Sequence, residues 1–416
     1  MFAAMSKPRG TPALYVGMCG DAPRTPPARI GLGGVSSVEL HRAELRRVDR
    51  KGADLVLSLA DPRMSTQHAR LSRNSDGEWV VADLGSKNGT WVGSERVMRH
   101  PLGDRDVILV GHTVFVYRDS GGDAGDLLDG EAPEPLPEHA TLAGALAAQL
   151  RELAAAAAKP VPIVITGEPG TGKERLARAV HAQSQRSGSL VATSGGGLDP
   201  TDIGDLLRSA HAGSLFLDDV VELSDAAQAA LLRALTAPVH DVRLIAATHR
   251  ELADEVAAKR FSAELHQRLA GFAITLPPLR HRREDLALLV RGVLTRLAPD
   301  RTITFSSDAV TALYGHDWPL NVRELERSLA AALAVATTDR IELSHLPVAV
   351  GSTEPMEEKT GYRPMTAEER ALRDQLVAAI ARNEGNLAGV AREMGKDRTQ
   401  IRRWMKKFGI TRDVKD

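Results

Sequence analysis

The chain has 416 residues, 43% hydrophobic and 26% charged, which excludes a fibrous or disordered protein; at roughly 100–200 residues per domain it holds two to four domains. Lys+Arg number 53 against 54 Asp+Glu, a formal net charge of -1, so any nucleic-acid partner must be met by a local basic patch. One cysteine, Cys19, excludes an internal disulfide and a multi-cysteine metal site, and no apolar run approaches the roughly 18–20 residues that span a bilayer. The expectation is a cytoplasmic chain with no membrane partner, no signal-peptide core in its first 20 residues and, at 4% aromatics, aliphatic cores.

Residues 28–118 read as β-rich. Short runs at 53–59, 79–82, 90–92 and 107–117 are rich in Val, Leu and Trp and are separated by turn signals, which suggests a sandwich. Two polar loops stand out: Asp61-Pro-Arg-Met-Ser65-Thr66-Gln-His68, and Asp83-Leu-Gly-Ser86-Lys87-Asn88-Gly89-Thr90. Hydroxyl, amide and cation together suit a phosphothreonine, which brings about -1.5 to -2 charge and three acceptor oxygens. In order and spacing these blocks resemble the forkhead-associated (FHA) domain. The resemblance implies that Ser65, Thr66 and Asn88 contact a phosphopeptide, with Ser86 and Lys87 beside them, and that His68 is structural. The family's phosphate-binding arginine follows a glycine a few residues before an Asp-Ile/Leu-Val-Leu strand. Arg50, ahead of Asp54 and with Asp49 in place of the glycine, matches it best; Arg42 is the alternative.

Residues 119–138 carry seven acidic side chains, no basic ones and three prolines, a solvated linker. Helical patterns then alternate with apolar runs at 161–166, 190–193, 214–218, 243–248 and 273–276, the signature of a parallel α/β sheet. Gly167-Glu168-Pro169-Gly170-Thr171-Gly172-Lys173-Glu174 follows the first strand and opens a helix. Its glycines let backbone N–H groups turn onto phosphates while Lys173 reaches the outer ones; Glu174 stands where Ser or Thr usually binds the metal. A second strand ends in Asp218-Asp219, where a Mg2+ ligand and a water-activating acid belong, and a third ends in Thr248-His249. From 283 to about 346 the periodicity is helical throughout.

Taken with Pro278-Leu-Arg280 and Asn321-Val-Arg323-Glu-Leu, residues 141–348 resemble the AAA+ module of the bacterial enhancer-binding proteins that activate sigma-54 RNA polymerase. The resemblance implies ATP and Mg2+ between protomers of a homo-oligomer, dimer or ring. Asp218 would hold the metal, Thr248 and His249 would form the first sensor, Arg323 the second, and Arg268 would act in trans. Three departures are visible. The sigma-gripping G-A-F-T-G-A loop is absent, with about 20 residues at 195–214 reading as one short helix over 202–210. Asp219 replaces a glutamate, drawing the carboxylate back by roughly 1.5 Å, about one C–C bond. Ser262 stands where a second arginine is usual. Weak hydrolysis is therefore expected, since a ~1 Å misplacement can cost about 100-fold.

At the C-terminal end, Thr366-Ala-Glu-Glu369 reads as a capping box for a helix with an apolar face of Leu372, Leu376, Val377 and Ile380. A second helix over 387–394, a turn at Gly395 with Asp397 as N-cap, and a last helix burying Ile401, Trp404, Met405 and Phe408 follow. Residues 391–416 hold nine basic against four acidic side chains. This, with Gly385, Asn386, Ala391, Arg392 and Gly395, resembles the Fis-type helix-turn-helix. Arg398, Thr399, Gln400, Arg402, Arg403, Lys406 and Lys407 would face double-stranded DNA, and the resemblance implies a palindromic site.

The expected architecture is multidomain: an all-β FHA sandwich (28–118), an acidic linker (119–138), an α/β AAA+ P-loop ATPase (139–280) with a helical lid (281–348), a linker (349–365) and an all-α helix-turn-helix (366–411). The expected function is an ATP-binding transcriptional regulator with a phosphothreonine input from a Ser/Thr kinase pathway, independent of sigma-54, with RNA polymerase a further partner. A conventional sigma-54-dependent activator and a protein-remodelling AAA+ adaptor are the alternatives.

Overall fold

A computed structural model describes residues 10–121, 126, 134–136, 138–236, 239–351, 367–383, 386–408 and 410. Thr366, Gly385, most of both linkers and the side chains of Lys406, Lys407 and Phe408 lie outside the described residues. The chain forms two compact units, 1–31 with 118–353 and 32–117 with 354–416. Among the described residues no helix is long and apolar enough to cross a membrane.

Strands β1 (Ala13–Cys19) and β2 (Ala28–Gly31) pair antiparallel in the first unit. The sequence reading, which starts at 28, did not anticipate β1, although its run Ala-Leu-Tyr-Val-Gly-Met-Cys is almost wholly buried. In the second unit β3 (Ser37–Arg42), β4 (Arg47–Lys51), β5 (Asp54–Leu59), β6 (Gln67–Arg73), β7 (Trp79–Asp83) and β10 (Arg99–Pro101) form a sheet ordered β10-β7-β6-β3-β5-β4. β8 (Thr90–Val92), β9 (Glu95–Val97), β11 (Val107–Val110) and β12 (Thr113–Arg118) run β12-β11-β8-β9 in the other. Alternation of buried and exposed residues in β3 and β5 sends Val38, Leu40, Leu55 and Leu57 to the core. The run 107–117 is two strands and not one. Gly111 turns it at φ +66°, and the buried Asp61 carboxylate accepts from His112 N and Thr113 Oγ1 at 2.7 and 2.8 Å.

The remainder of the first unit opens with α1 (Gly144–Ala157), β13 (Ile163–Gly167), α2 (Lys173–Gln183), β14 (Leu190–Ser194), α3 (Ile203–Ser209) and β15 (Ser214–Asp218). It continues through α4 (Asp225–Thr236), β16 (Arg243–Thr248), α5 (Leu252–Ala257), α6 (Ala263–Leu269) and β17 (Phe272–Leu276). All five strands are parallel, in the order β14-β15-β16-β13-β17. Alternate residues feed two cores: Val164, Leu215, Leu217 and Leu244 on one face, Ile163, Ile165, Phe216 and Ile245 on the other. Residues 195–213, between β14 and β15, carry the short helix α3. The lid holds α7 (Leu286–Leu297), α8 (Ser307–Gly315), α9 (Asn321–Val335) and α10 (Val348–Gly351). It is not helical throughout, because β18 (Thr304–Phe305) and β19 (Arg340–Ile341) pair in parallel.

The hairpin β1–β2 is tied to this lid. Met18 N donates to Tyr314 Oη at 3.2 Å, Phe305 N donates to Gly20 O at 2.8 Å, and Arg24 donates to Leu294 O and Pro299 O at the C-terminal end of α7. Arg118, the last residue of β12, pairs with the buried Glu284, while Asp285 accepts from Thr141 Oγ1 and Leu142 N.

The C-terminal segment folds as α11 (Ala367–Arg382), α12 (Leu387–Glu393) and α13 (Arg398–Phe408) around Leu376, Ile380, Val390, Ile401 and Met405. Asn386 caps α12 by accepting from Ala388 N, Asp397 accepts from Gln400 N at 2.7 Å, and Gly395 makes the turn at φ +61°.

Glu284 sets a pH dependence. Burial raises its carboxyl to about 7 despite Arg118, and among the described residues its Oε2 has no hydrogen-bond partner. The folded state therefore holds a proton that the unfolded carboxyl gives up near 4.5, so this stabilisation is present below about 4.5 and lost as the pH rises to about 7. Glu284→Gln, which mimics the protonated form, should flatten the decline of Tm between pH 5 and 8 and raise Tm at pH 8. Thermal melts across that range check this.

Candidate functional site

The phosphate loop follows directly from the fold. β13 is buried up to Gly167, and the chain must then turn sharply to start α2. Gly170 (φ +79°) and Gly172 (φ +107°) make that turn, and a Cβ on Gly170 would lie 2.0 Å from Leu320 O. The N–H groups that open α2 have no partner inside the helix, which suits an anion. Lys173 Nζ donates to Gly167 O at 2.8 Å and to Glu168 O at 3.3 Å. Burial lowers the pKa of this amine, against which the nearby Asp218 and Asp219 act.

The lid clasps the loop. Arg280 donates to both Glu168 oxygens, at 2.8 and 2.5 Å, and with Asn321 holds that carboxyl down at about 2. Asn321 Nδ2 also donates to Pro169 O at 3.0 Å, Arg282 donates to Thr171 O at 3.1 Å, and Arg323 N donates to Gly170 O at 3.4 Å. Arg280, Arg282 and Asn321 were missed as site residues; the first and last lie inside motifs that the sequence displays. Thr171 Oγ1 donates to Glu168 O, and the exposed Glu174 pairs with Arg178 at 2.6 Å.

Asp218 ends β15 partly buried, and burial followed by the neighbouring Asp219 raises its pKa. Asp219 leaves the strand in the left-handed region (φ 48°), with Oδ1 2.9 Å from His249 Nδ1. Thr248 and His249 do not act alike. The Thr248 hydroxyl is buried, accepts from Arg250 N and donates to Arg250 O, so His249 is the polar group left at the end of β16. Ser262 caps α6 by accepting from Leu265 N. Arg268 lines a cleft of about 240 Å3 with Pro160, Val161 and Pro162, ahead of β13, whereas the loop lies after it. Five strand residues, about 16 Å, separate the two ends, so Arg268 is not brought to the phosphate loop of its own chain.

In the sandwich, Ser65 Oγ accepts from Lys87 N at 3.0 Å, and Asn88 Nδ2 donates to Arg63 O at 2.7 Å, so the two predicted loops do meet. Thr66, Lys87 and Asn88 are exposed and Ser65 is half-buried. His68 is buried and neutral: Nδ1 accepts from Ser65 N, Nε2 faces Gly89 O at 3.0 Å, and burial lowers its pKa. Ser86 is not offered to a ligand. It is buried, donates to Asp83 Oδ2 at 2.6 Å and accepts from Gly89 N at 2.8 Å. Arg50 is not brought to these loops either. It lies on the edge strand β4 opposite Leu55, four residues (about 13 Å) below Leu59, where β5 enters the Ser65 loop. Arg42 stands opposite Leu59 at the end of β3, and its neighbour His41 pairs with Gln67. With Ala43, Glu44, Ala60 and Pro62 it lines a hollow of about 480 Å3.

On α13, Arg398, Thr399, Arg402 and Arg403 are exposed and Gln400 is half-buried, on the side away from Ile401 and Met405.

A phosphate loop after a buried strand, an Asp-ended strand of the same sheet and a helical lid define a P-loop NTPase of the AAA+ class, in a chain that also carries an FHA sandwich. Comparison with known proteins agrees. Family models described as Sigma-54 interaction domain, FHA domain and AAA+ ATPase lid domain match residues 142–279, 46–111 and 280–362. Transcriptional regulatory protein ZraR of Escherichia coli O157:H7 is 34% identical over 66% of this chain and 70% of its own length. ZraR of Salmonella typhimurium is 35% identical over 61% of this chain and 64% of its own, so the chain spans just under two thirds of that relative. Hydrogenase transcriptional regulatory protein HoxA of Cupriavidus necator is 31% identical over 62% and 63%. The solved structure of NtrX from Brucella abortus in complex with ATP is 27% identical over 65% of this chain and 69% of that one, with a TM-score of 0.47. The chain belongs to the family of transcriptional regulatory proteins that carry a Sigma-54 interaction domain.

The Ser86 network gives a direct test of which groups build the two polar loops of the sandwich. Ser86→Ala strips partners from Asp83 and Gly89 N and should cost about 1–3 kcal/mol of sandwich stability. Chemical denaturation should detect this, whereas Lys87→Ala should change stability by under about 0.5 kcal/mol.

Proposed function

We propose that the chain is an ATP-binding, DNA-binding transcriptional regulator that forms homo-oligomers, takes a phosphothreonine protein as input and works without sigma-54. The observation that carries the nucleotide reading is the glycine-turned loop at the start of α2, with Lys173 inside it and Asp218 nearby. These residues fit ATP and Mg2+. The N–H groups of Gly172, Lys173 and Glu174 would meet phosphate oxygens, Lys173 would exchange its loop carbonyls for the outer phosphates, and Arg323 would face them from the lid. Asp218, partly buried beside a second carboxylate, would hold the metal, which supplies positive charge opposite the outer phosphates. Asp219 acting alone is a short base and would give weak turnover. Arg268, a strand length away from its own loop, would serve a neighbouring protomer. Replacing Lys173 by Ala should abolish ATP binding, measured by calorimetry, while leaving the melting temperature of the chain without nucleotide within a few degrees.

For the input, Arg42 is the cation we assign to the phosphate, with Ser65, Thr66, Lys87 and Asn88 around it. Arg42→Ala should abolish binding to a phosphothreonine peptide library and Arg50→Ala should leave it within about twofold. The opposite pattern would return the role to the edge strand. A library without any phosphate-dependent ligand would make the domain a docking module.

For the output, the exposed basic side of α13 would enter the major groove of a palindromic site, with Arg398, Thr399, Gln400 and Arg402 near base edges and Arg403, Lys406 and Lys407 near phosphates. The short α3 crossover between β14 and β15 supports sigma-54 independence, since it has no room for the family's long inserted hairpin. The name of the matched Sigma-54 interaction domain favours the second reading, a conventional activator. In footprinting, losing one base-reading side chain should cost about 1–3 kcal/mol at one position, and losing a phosphate-contacting lysine should weaken all sites and reduce the salt slope by about one. ATP should change DNA affinity or cooperativity without sigma-54. ATP-dependent open-complex formation by purified sigma-54 polymerase would establish the conventional reading instead.

A further inference from the structure

We infer that His249, held by Asp219, is the group that takes the proton from the attacking water when bound ATP is hydrolysed, so that water activation uses an imidazole–carboxylate pair and not a lone carboxylate. This rests on the nucleotide-binding reading above. Sheet order places the end of β16 between the carboxylates that end β15 and the phosphate loop that follows β13. Thr248 pairs with Thr166, so His249 stands level with Gly167, where that loop begins. Asp219 leaves its strand in the left-handed region and carries Oδ1 to 2.9 Å from His249 Nδ1.

An aspartate in that position orients the ring: Nδ1–H donates to the carboxylate and Nε2 keeps a lone pair for a proton. The ring also extends the base outward, which offsets the roughly 1.5 Å by which aspartate falls short of glutamate. Thr248 is turned into its own strand end and does not compete for this place. The charged groups around the imidazole are Asp219, Glu255 and Arg250; Glu255 is paired with Arg260, and Arg250 with Glu222. Lys173 and Asp218 are near enough to Asp219 to interact with it electrostatically.

In the step, the water oxygen bonds to the γ-phosphorus and its proton passes to His249 Nε2. The bond from that phosphorus to the bridging oxygen breaks, and its electron pair leaves on the diphosphate. The imidazolium is stabilised by Asp219 and then returns the proton to solvent.

The test uses the full chain, with ATP binding measured by calorimetry and turnover by phosphate release. His249→Gln should bind ATP within about twofold of the unsubstituted chain and hydrolyse it about 100-fold more slowly, as for loss of a general base. Combining it with Asp219→Glu should recover at least about tenfold of that loss, because glutamate reaches the water directly. Independently of turnover, the histidine side-chain 15N spectrum should lose one Nδ1-protonated signal in His249→Gln, and Asp219→Asn should shift that signal. His249→Gln turning over at the full rate, an Nε2-protonated tautomer, or a chain that binds ATP but never hydrolyses it would each overturn the inference and leave nucleotide binding standing. Failure of the unsubstituted chain to bind ATP would overturn both.

Discussion

A loop that is to bind an anion must keep its N–H groups unpaired, and a loop with unpaired N–H groups has little to hold it still. The clasp from the lid resolves that conflict, and the geometry of the phosphate loop depends on it. Asn321, Arg282 and the backbone of Arg323 fix the loop through its carbonyls at Pro169, Thr171 and Gly170, and Thr171 N turns back onto Glu168 O, so the clasp does not draw on the N–H groups of Gly172, Lys173 and Glu174. Arg280 pairs with Glu168, a loop carboxylate whose charge would otherwise oppose a phosphate, as Arg178 pairs with Glu174. Gly170 is obligatory for two separate reasons, its positive φ and the carbonyl of Leu320 beside it.

The same lid elements bear the rest of the first unit. Arg282 reaches the phosphate loop, Glu284 holds Arg118 and Asp285 anchors the start of α1's approach through Thr141, three contacts from four consecutive residues. Charges at this depth are expensive unless paired, and the pairing here is incomplete: Glu284 keeps an orphan oxygen and Arg282 an orphan Nε. Such a cluster tolerates little displacement, so the loop, the lid and the hairpin β1–β2 are mechanically one piece within this unit. Arg24 at the end of α7 and the Met18–Tyr314 bond close it from the other side.

Legibility in the sequence followed the range of the interactions. The phosphate loop, the five parallel strands, the short α3 and the Asp397 cap are local patterns, and the chain folds them as local patterns. What depended on register was hidden. Counting back from Asp54 finds Arg50, but β4 is an edge strand hairpinned onto β5, so residues close to Asp54 in sequence lie at the far end of the sheet from Ser65. For Ser86 and Thr248 the motif carries no sign of which way the hydroxyl turns; Asp83 and Arg250 decide that. β1 was missed because its burial comes from partners distant in sequence.

With 53 basic and 54 acidic side chains, this chain cannot attract anions by its overall field, so each proposed anion site must generate its own attraction at short range. The three sites do so with different donors, and the choice follows from the element that carries each. The sandwich offers loop ends, where one arginine, hydroxyls and an amide can converge on a single phosphate. The parallel sheet offers a helix N-terminus, where backbone N–H groups serve and a single lysine suffices. The last helix has only a surface to offer, and the arginines exposed along it are what the proposed contact with a phosphate backbone would use. A regulator whose sites were all built from clustered lysine would instead be bound everywhere by DNA, and its nucleotide and phosphopeptide sites would compete with its output.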